Sequence, residues 1–374
     1  MQVTAEKVIP NVVSMPVDDP AVLAERLAAH RTVAMALSVL SDSGLASRLA
    51  GGRALGSGVG GTVVTVEVEG VTVFAKAIPL TDVELRPGNR MSTANLFGLP
   101  AFYQYPMGSA GFGAWRELAA HTMTATWVLS GAYPGFPLTH HWRTLPVSTP
   151  GEAAMTTMFG GIGGAVARWD GSAAVGRRLE AIASSRAAIV VFQEYIPHRL
   201  ADWLTGPDAD FALAEQQLTA GAAFMRAQGF AHFDTHFRNV LTDGAQMYFA
   251  DFGLATCDRF NLSEAERRFL HAHQDFDRAY IAADLTAGAL GMNRGYRPLR
   301  ELLRAWIAGD ADRTALAPDL ATLVDRHAPL ASLVLDFHDA LDQGPKTHPW
   351  PAAEVARLLL THDNRPFART EDGP

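Results

Sequence analysis

The spacing of apolar positions changes along this chain. Asp19-Pro20 opens a run of apolar and charged residues at helical spacing to about Leu40, which predicts a helix with Asp as its cap and Pro in its first turn. From Arg53 the period becomes two: Val64, Val66 and Val68 alternate with Thr65 and Glu67, Glu69-Gly70 follows, and Val71, Val73 and Ala75 resume the alternation. That pattern is a β-hairpin with a two-residue turn. Residues 78–113, rich in Gly, Pro, Asn and Met, hold no period and read as a long connection, after which Trp115 to Leu129 reads as a helix. A segment of about 148–186 contains Gly160-Gly161-Ile162-Gly163-Gly164 and small residues throughout. It reads as a flexible insertion rather than a nucleotide loop, because no alternating strand leads into it. Ala188 to Tyr195 is a buried strand, and Phe211, Leu218, Ala222 and Met225 share a helical face that stops at Gly229. Beyond residue 262 helical patterns alternate with short loops, so the first half is strand-rich and the second helical.

A chain of 374 residues, 48% of them hydrophobic, is long enough for two lobes with ample core and is neither disordered nor a fibrous repeat. Its net charge of −8 argues against a general nucleic-acid binder, which needs a basic face for phosphates. No apolar run approaches the ~18–20 residues that span a bilayer, and the first 30 residues lack the basic-then-apolar order of a secretory signal. A cytoplasmic protein with no membrane partner is the expectation. Cys257, the single cysteine, makes neither an internal disulfide nor a thiolate zinc site, and is expected to be a small, partly buried residue. Lysines number only three, Lys7, Lys76 and Lys346, so a lysine in a meaningful place is informative.

Gly56-Ser57-Gly58-Val59-Gly60-Gly61-Thr62-Val63 fits G-x-G-x-x-G-x-V. With 33 glycines a bare G-x-G-x-x-G arises by chance about 0.3 times, so context decides. A dinucleotide fold needs the loop to enter a helix, whereas here it runs into a strand. A glycine loop bridging antiparallel strands lays backbone N–H groups over nucleotide phosphates. Lys76 then ends the second hairpin strand, where its ammonium reaches phosphates under the loop if a carboxylate holds it. Glu84 follows the strand too closely, which leaves Glu117, on the expected helix, as the partner. His232-Phe233-Asp234-Thr235-His236-Phe237-Arg238-Asn239 follows the Gly229 cap, and Asp251-Phe252-Gly253 begins shortly after Asn239. Phosphoryl transfer needs a carboxylate facing the attacking hydroxyl and two oxygen ligands for Mg²⁺, and Asp234, Asn239 and Asp251 supply them in that order.

With these four ordered motifs the sequence resembles the protein-kinase-like superfamily, which includes eukaryotic-type Ser/Thr kinases and the aminoglycoside and choline phosphotransferases. The resemblance is close over about residues 53–260 and loose elsewhere. It implies an α+β, two-lobed fold: an N-terminal helical extension (1–52), a β-rich N-lobe (53–196) with insertions near 78–113 and 148–186, and a helical C-lobe (197–374) carrying the catalytic loop. It implies ATP bound under Gly56, Gly58, Gly61 and Val63, with Gln193 as gatekeeper and the backbone of Glu194 to Ile196 pairing with adenine. Lys76 and Glu117 would orient phosphates, Asn239 and Asp251 would hold Mg²⁺, Asp234 would position the acceptor hydroxyl, and His232 would buttress the loop. Asp284 would be either the buried helix aspartate that ties this loop down or an ordinary surface residue.

Departures from the protein-kinase pattern bear on the acceptor. Phe233 replaces the arginine that pairs with activation-loop phosphate, which argues against that form of switching. His236 stands where protein kinases usually have lysine and small-molecule phosphotransferases histidine. No Ala-Pro-Glu motif follows Asp251; instead Ser263-Glu264-Ala265-Glu266 is a capping box that starts a helix by about residue 264. The glycine loop and Asp-Phe-Gly-Leu-Ala favour a Ser/Thr hydroxyl on a peptide or protein, including a ribosomal-peptide precursor. The alternatives are a small-molecule phosphotransferase, which His236 favours, and a partner-binding pseudokinase, which the intact motifs disfavour. The two insertions are expected to form a wall over the cleft, and Phe97, Phe102, Tyr103 and Tyr105 to pack against the small lobe rather than form a peptide- or lid-binding surface. His271 with Asp275 and His273 with Asp277 are i, i+4 pairs, but on one helix they face nearly opposite ways and cannot share an ion. Adjacent His140-His141 do no better.

Overall fold

The computed structural model describes residues 20–58, 61–146, 160–292 and 297–363. It is a mixed α+β protein, a small antiparallel sheet with many helices before, between and after its strands. The expected N-terminal helix is α1 (Pro20–Ser38), followed by α2 (Asp42–Ala50), which Ser41 caps by accepting from Gly44 N–H. Strands β1 (Arg53–Gly58), β2 (Gly61–Val68), β3 (Val71–Leu80), β4 (Thr139–Pro146) and β5 (Ala187–Glu194) form one sheet in the order β1-β2-β3-β5-β4. The hairpin falls where the alternation placed it, with Val68 opposite Val71. Glu69 and Gly70 both have positive φ, 49° and 78°, as a tight turn matched to the twist of its strands requires.

Period-two alternation gives β3 two different faces. Val73 and Ala75 join Val66, Val68, Val190 and Phe192 under Val33, Leu37 and Leu45 of α1 and α2. Ile78 and Leu80 pack on the opposite face, with Ile189, Val191 and Ala114, Trp115 and Leu118 of α4 (Ala114–Leu129). Lys76 shares that second face and so points toward α4. The sheet is thus covered by helices on both sides, which explains why β5, inserted between β3 and β4, is apolar throughout its centre.

Residues 78–113 contain α3 (Asp82–Leu85), whose Thr81–Glu84 capping box is complete, and two short 3₁₀ turns. The aromatic cluster departs from expectation at Tyr105, while Phe102 and Tyr103 pack on Trp169. Tyr105 packs among Phe269, Phe276 and Phe337 and hydrogen-bonds His273 Nε2 at 2.9 Å, in the helical half of the chain rather than against the sheet. Phe97, Tyr103 and Phe112 are buried in the same core. The segment is built into the fold and is no free-standing wall.

The expectation of a flexible insertion is also corrected for residues 160–186, while 148–159 lie outside the described residues. Gly160 and Gly161, at φ 70° and 94°, turn the chain into α5 (Ile162–Arg168), and Ser172 caps α6 (Ala173–Ala183). Val175, Leu179 and Ile182 form a helical stripe among small residues, and Trp169 is fully buried with Tyr103 edge-on at 4.7 Å. Small residues hid a helical period here.

After α7 (Leu200–Trp203), helix α8 (Phe211–Ala227) starts at the Asp210 cap, and Gly229 follows it at φ 66°. Its predicted face is buried at Leu218, Ala222 and Met225. Two small sheets carry the following loops. One pairs β6 (His198–Arg199), β8 (Val240–Thr242) and β9 (Met247–Phe249); the other pairs β7 (Phe230–Ala231) with β10 (Thr256–Cys257). The chain then forms α9 (Glu264–Ala272), α10 (Phe276–Ala289), α11 (Arg297–Ala308), α12 (Pro318–Gln343) and α13 (Ala352–Asp363). Residues 271–277 are not on one helix: His273 ends α9, its Nδ1 lying 2.7 Å from the Phe269 carbonyl, and a new helix starts at Phe276. Helix α10 is buried nearly all round, against α8 and α12. Among the described residues no helix is long and apolar enough to cross a membrane.

Candidate active site

Lys76 is 6% exposed, and its Nζ lies 2.7 Å from Glu117 Oε1 and 2.8 Å from Asp251 Oδ1. Burial alone would pull a lysine down; the two carboxylates outweigh it and hold the ammonium above its usual value. Burial would raise Asp251, but Lys76 overrides it and keeps this carboxyl below the usual range. Glu84 is no partner of Lys76 and has a different task. Its Oε1 accepts Ala114 N–H at 2.7 Å, and its Oε2 accepts from Thr81 and from Arg178 at 3.0 Å. It therefore fixes the first turn of the helix that carries Glu117.

The loop after β7 hangs from two aspartates of α10. Asp277 accepts His232 N–H at 2.8 Å and Phe233 N–H at 2.9 Å, and Asp284 accepts Phe237 N–H at 3.0 Å. Asp284 is therefore a buried loop anchor rather than a surface residue. Asp277, which the sequence pattern offers only as half of a metal pair, braces the turn beside it. Phe233 needs that brace: its φ of 63° is strained for a bulky residue, and its ring is buried against Phe269 and Phe276. Burial pushes the Asp277 carboxyl up to about 6, with the two amide hydrogen bonds opposing.

His232 is fully buried, and burial lowers it to about 4, so its ring is neutral near pH 7. Its Nε2 lies 3.0 Å from the Ala250 carbonyl, which only accepts, so Nε2 carries the proton and Nδ1 accepts Asp234 N–H at 3.3 Å. Asn239 Nδ2 donates to Asp234 Oδ2 at 2.8 Å and to its carbonyl at 3.1 Å, while His236 Nε2 stands 3.4 Å from Asp234 Oδ1. Asp234 thus has a neighbour on each carboxylate oxygen.

Asp251 has φ 61°, and Phe252 behind it is fully buried with its ring against His121, His232, Phe136 and Phe230. Gln193 is buried with Nε2 3.1 Å from His121 Nδ1. Ile196 is buried, and the Glu194 side chain is gripped by Arg26 of α1, Nε to Oε1 at 2.8 Å and Nη2 to Oε2 at 2.9 Å. Gly56, Gly58, Gly61 and Val63 lie on β1 and β2, with Gly58 opposite Gly61; Val59 and Gly60 at the tip lie outside the described residues.

A short stretch of chain separates Asp251 from Ser263, which caps α9 through the expected box with Glu266. Cys257 is buried on β10, and burial pushes its thiol up to about 11. Sequence reasoning missed Arg26, Asp277 and Arg116, each of which acts through partners distant in the chain, in Glu194, His232 and Glu266. Among the described residues no three His, Cys, Asp or Glu form a cluster able to hold a metal. A cavity of about 610 Å³, lined by Arg48, Arg53, Thr65, Glu67 and Tyr195, reaches neither Lys76 nor Asp234 and meets the 194–196 stretch only at Tyr195. No protein-family model matches the chain, and no curated protein matches it.

Proposed function

We propose that the chain is an ATP- and Mg²⁺-dependent phosphotransferase of two-lobed, protein-kinase-like architecture that acts on an alcohol acceptor. The observation that carries this reading is the convergence of Lys76, Glu117 and Asp251 within ion-pair distance, beside a loop on which Asn239 and His236 flank Asp234. A buried lysine held between two carboxylates is a fixed point charge suited to nucleotide phosphates. The β1–β2 glycines would cover those phosphates, and the backbone of Glu194 to Ile196 would meet adenine.

The donor set fits Mg²⁺. Asp251 keeps a partly exposed side chain beside its Lys76 contact, and Asn239, whose Nδ2 is committed to Asp234, has its amide oxygen left to face a cation. Two hard oxygen donors completed by phosphate oxygens is the usual mode for this ion, which supplies neutralisation of phosphate charge. Asp234 would accept the hydrogen bond of the acceptor hydroxyl and take its proton as the new P–O bond forms and the bond to the ADP oxygen breaks.

Mg²⁺-ATP should raise the melting temperature of the protein, and Lys76→Met should abolish most of the rise. An equal rise in both proteins would refute the role given to Lys76. The leading acceptor is a Ser/Thr hydroxyl on a peptide or protein. His236 at 3.4 Å from Asp234 favours a second reading, a small-molecule acceptor. Phosphate transfer from labelled ATP to Ser/Thr peptides or to hydroxylated small molecules separates the two.

A further inference from the structure

Glu266 uses both carboxylate oxygens, and each serves a different element. Oε2 accepts Ser263 N–H at 2.9 Å and the Ser263 hydroxyl at 2.7 Å, closing the capping box of α9. Oε1 accepts Arg116 Nη2 at 2.6 Å, and both side chains are buried. Arg116 is held further: Nε donates to the Thr93 carbonyl at 2.6 Å, and its guanidinium lies 4.8 Å from the Phe112 ring centroid. Thr93 Oγ1 in turn accepts Asn261 N–H at 2.9 Å. Three stretches of chain, around Thr93, Phe112–Arg116 and Asn261–Glu266, are knotted at one buried ion pair, and Arg116 is the residue immediately before Glu117.

We propose that Glu266 is a positioning residue which, through Arg116, permanently holds α4 with Glu117 against Lys76. The inference rests on the phosphotransferase reading for its catalytic consequence and on geometry alone for its structural one. A rotation of α4 that withdrew Glu117 from Lys76 would also tear Arg116 from Glu266 and leave two buried charges unpaired, so the paired state is favoured twice over. The segment from Asp251 to Ser263 is short, its strand β10 is paired with β7, and Gln104 Nε2 donates to the Leu254 carbonyl, so its position is set by fixed bonds. Phe233, buried and apolar, offers no charge for an added phosphate. The fixed carboxylate of Glu266 supplies the anion that a modification would otherwise have to bring, and activity needs no covalent switch.

The test compares Glu266→Gln, Arg116→Lys and Ser263→Ala with the parent. Hydrogen exchange should quicken at least tenfold at the amides of residues 114–120 in Glu266→Gln, and not at 276–289 of α10. Turnover at saturating Mg²⁺-ATP should fall at least tenfold while KM for ATP changes less than threefold. Ser263→Ala removes the cap and leaves the ion pair, so it should lower the melting temperature without either effect. Phosphatase treatment of the parent should leave turnover intact. Unchanged exchange over 114–120 in Glu266→Gln, the same loss of turnover in Ser263→Ala, or loss of activity on phosphatase treatment each overturns the proposal. If Glu266→Gln does not fold, Arg116→Lys is read by the same measurements. If no phosphate transfer is found for the parent, exchange still decides the structural claim, so failure of the function and failure of the inference are distinguishable.

Discussion

Asp277→Asn keeps the outline of the side chain and changes what its two outer atoms can accept. One amide oxygen replaces one carboxylate oxygen, but the NH₂ group faces a second backbone N–H, from either His232 or Phe233. A buried donor left without an acceptor costs about 1–3 kcal/mol at any pH. A second effect has the opposite sign and depends on pH. Because burial raises the Asp277 carboxyl from 3.8 to about 6, the folded state binds a proton more tightly than the unfolded chain does. Stability is therefore fully present below about pH 4 and is lost as pH rises through 6, by about 3 kcal/mol in all. Asparagine has no such loss. Urea unfolding at pH 4.5 and 7.5 should show the variant less stable than the parent at the lower pH, with the gap closing or reversing at the higher. Turnover should fall at both, because Asp234 is carried on the amides that have lost an acceptor. A gap of the same size at both pH values would refute the linkage, and full turnover would refute the bracing role.

Asp234→Asn should lower turnover by orders of magnitude while the Mg²⁺-ATP melting shift persists; undiminished turnover on a confirmed acceptor would remove Asp234 from catalysis. Gly111→Ala should destabilise by about 2–5 kcal/mol, since φ is +69° and the new Cβ would collide with the Gly253 carbonyl oxygen, and thermal unfolding with an activity assay checks it. Cys257, buried and with its thiol raised to about 11, should resist a disulfide reagent at pH 8 in the native protein and react promptly in denaturant.

Local chemistry was legible in the sequence and distant partnership was not. The β2–β3 hairpin, the Ser263 box and the Gly229 stop each depend on residues within a few positions of one another, and all three lie where the pattern put them. Lys76 and Glu117 come from separate elements, but their pairing was readable because lysine is so rare here. Asp277 gave no such sign: its i, i+4 relation to His273 suggested a metal pair, and only the break between α9 and α10 turns it toward His232. The stripe Val175, Leu179 and Ile182 was lost among alanines and glycines. Nothing around Tyr105 announces that its ring is covered by Phe269 and Phe337, from helices near the other end of the chain.

Arg26 must wait for its carboxylate partner. Glu194 is made 168 residues later, and with it β5, the sheet neighbour on which β4 is laid. At synthesis rates of about 5–20 residues per second, α1 spends roughly 8–34 s beyond the point at which it could first coil. For that time Val33 and Leu37 have only part of the surface that later covers them, and β4 emerges before the strand it pairs with. A nascent chain stalled before residue 187 would present an apolar helix and an unpaired strand together, a natural target for chaperones and a hazard in crowded expression. Among the described residues the first helix is thus one of the last elements to be locked against the sheet.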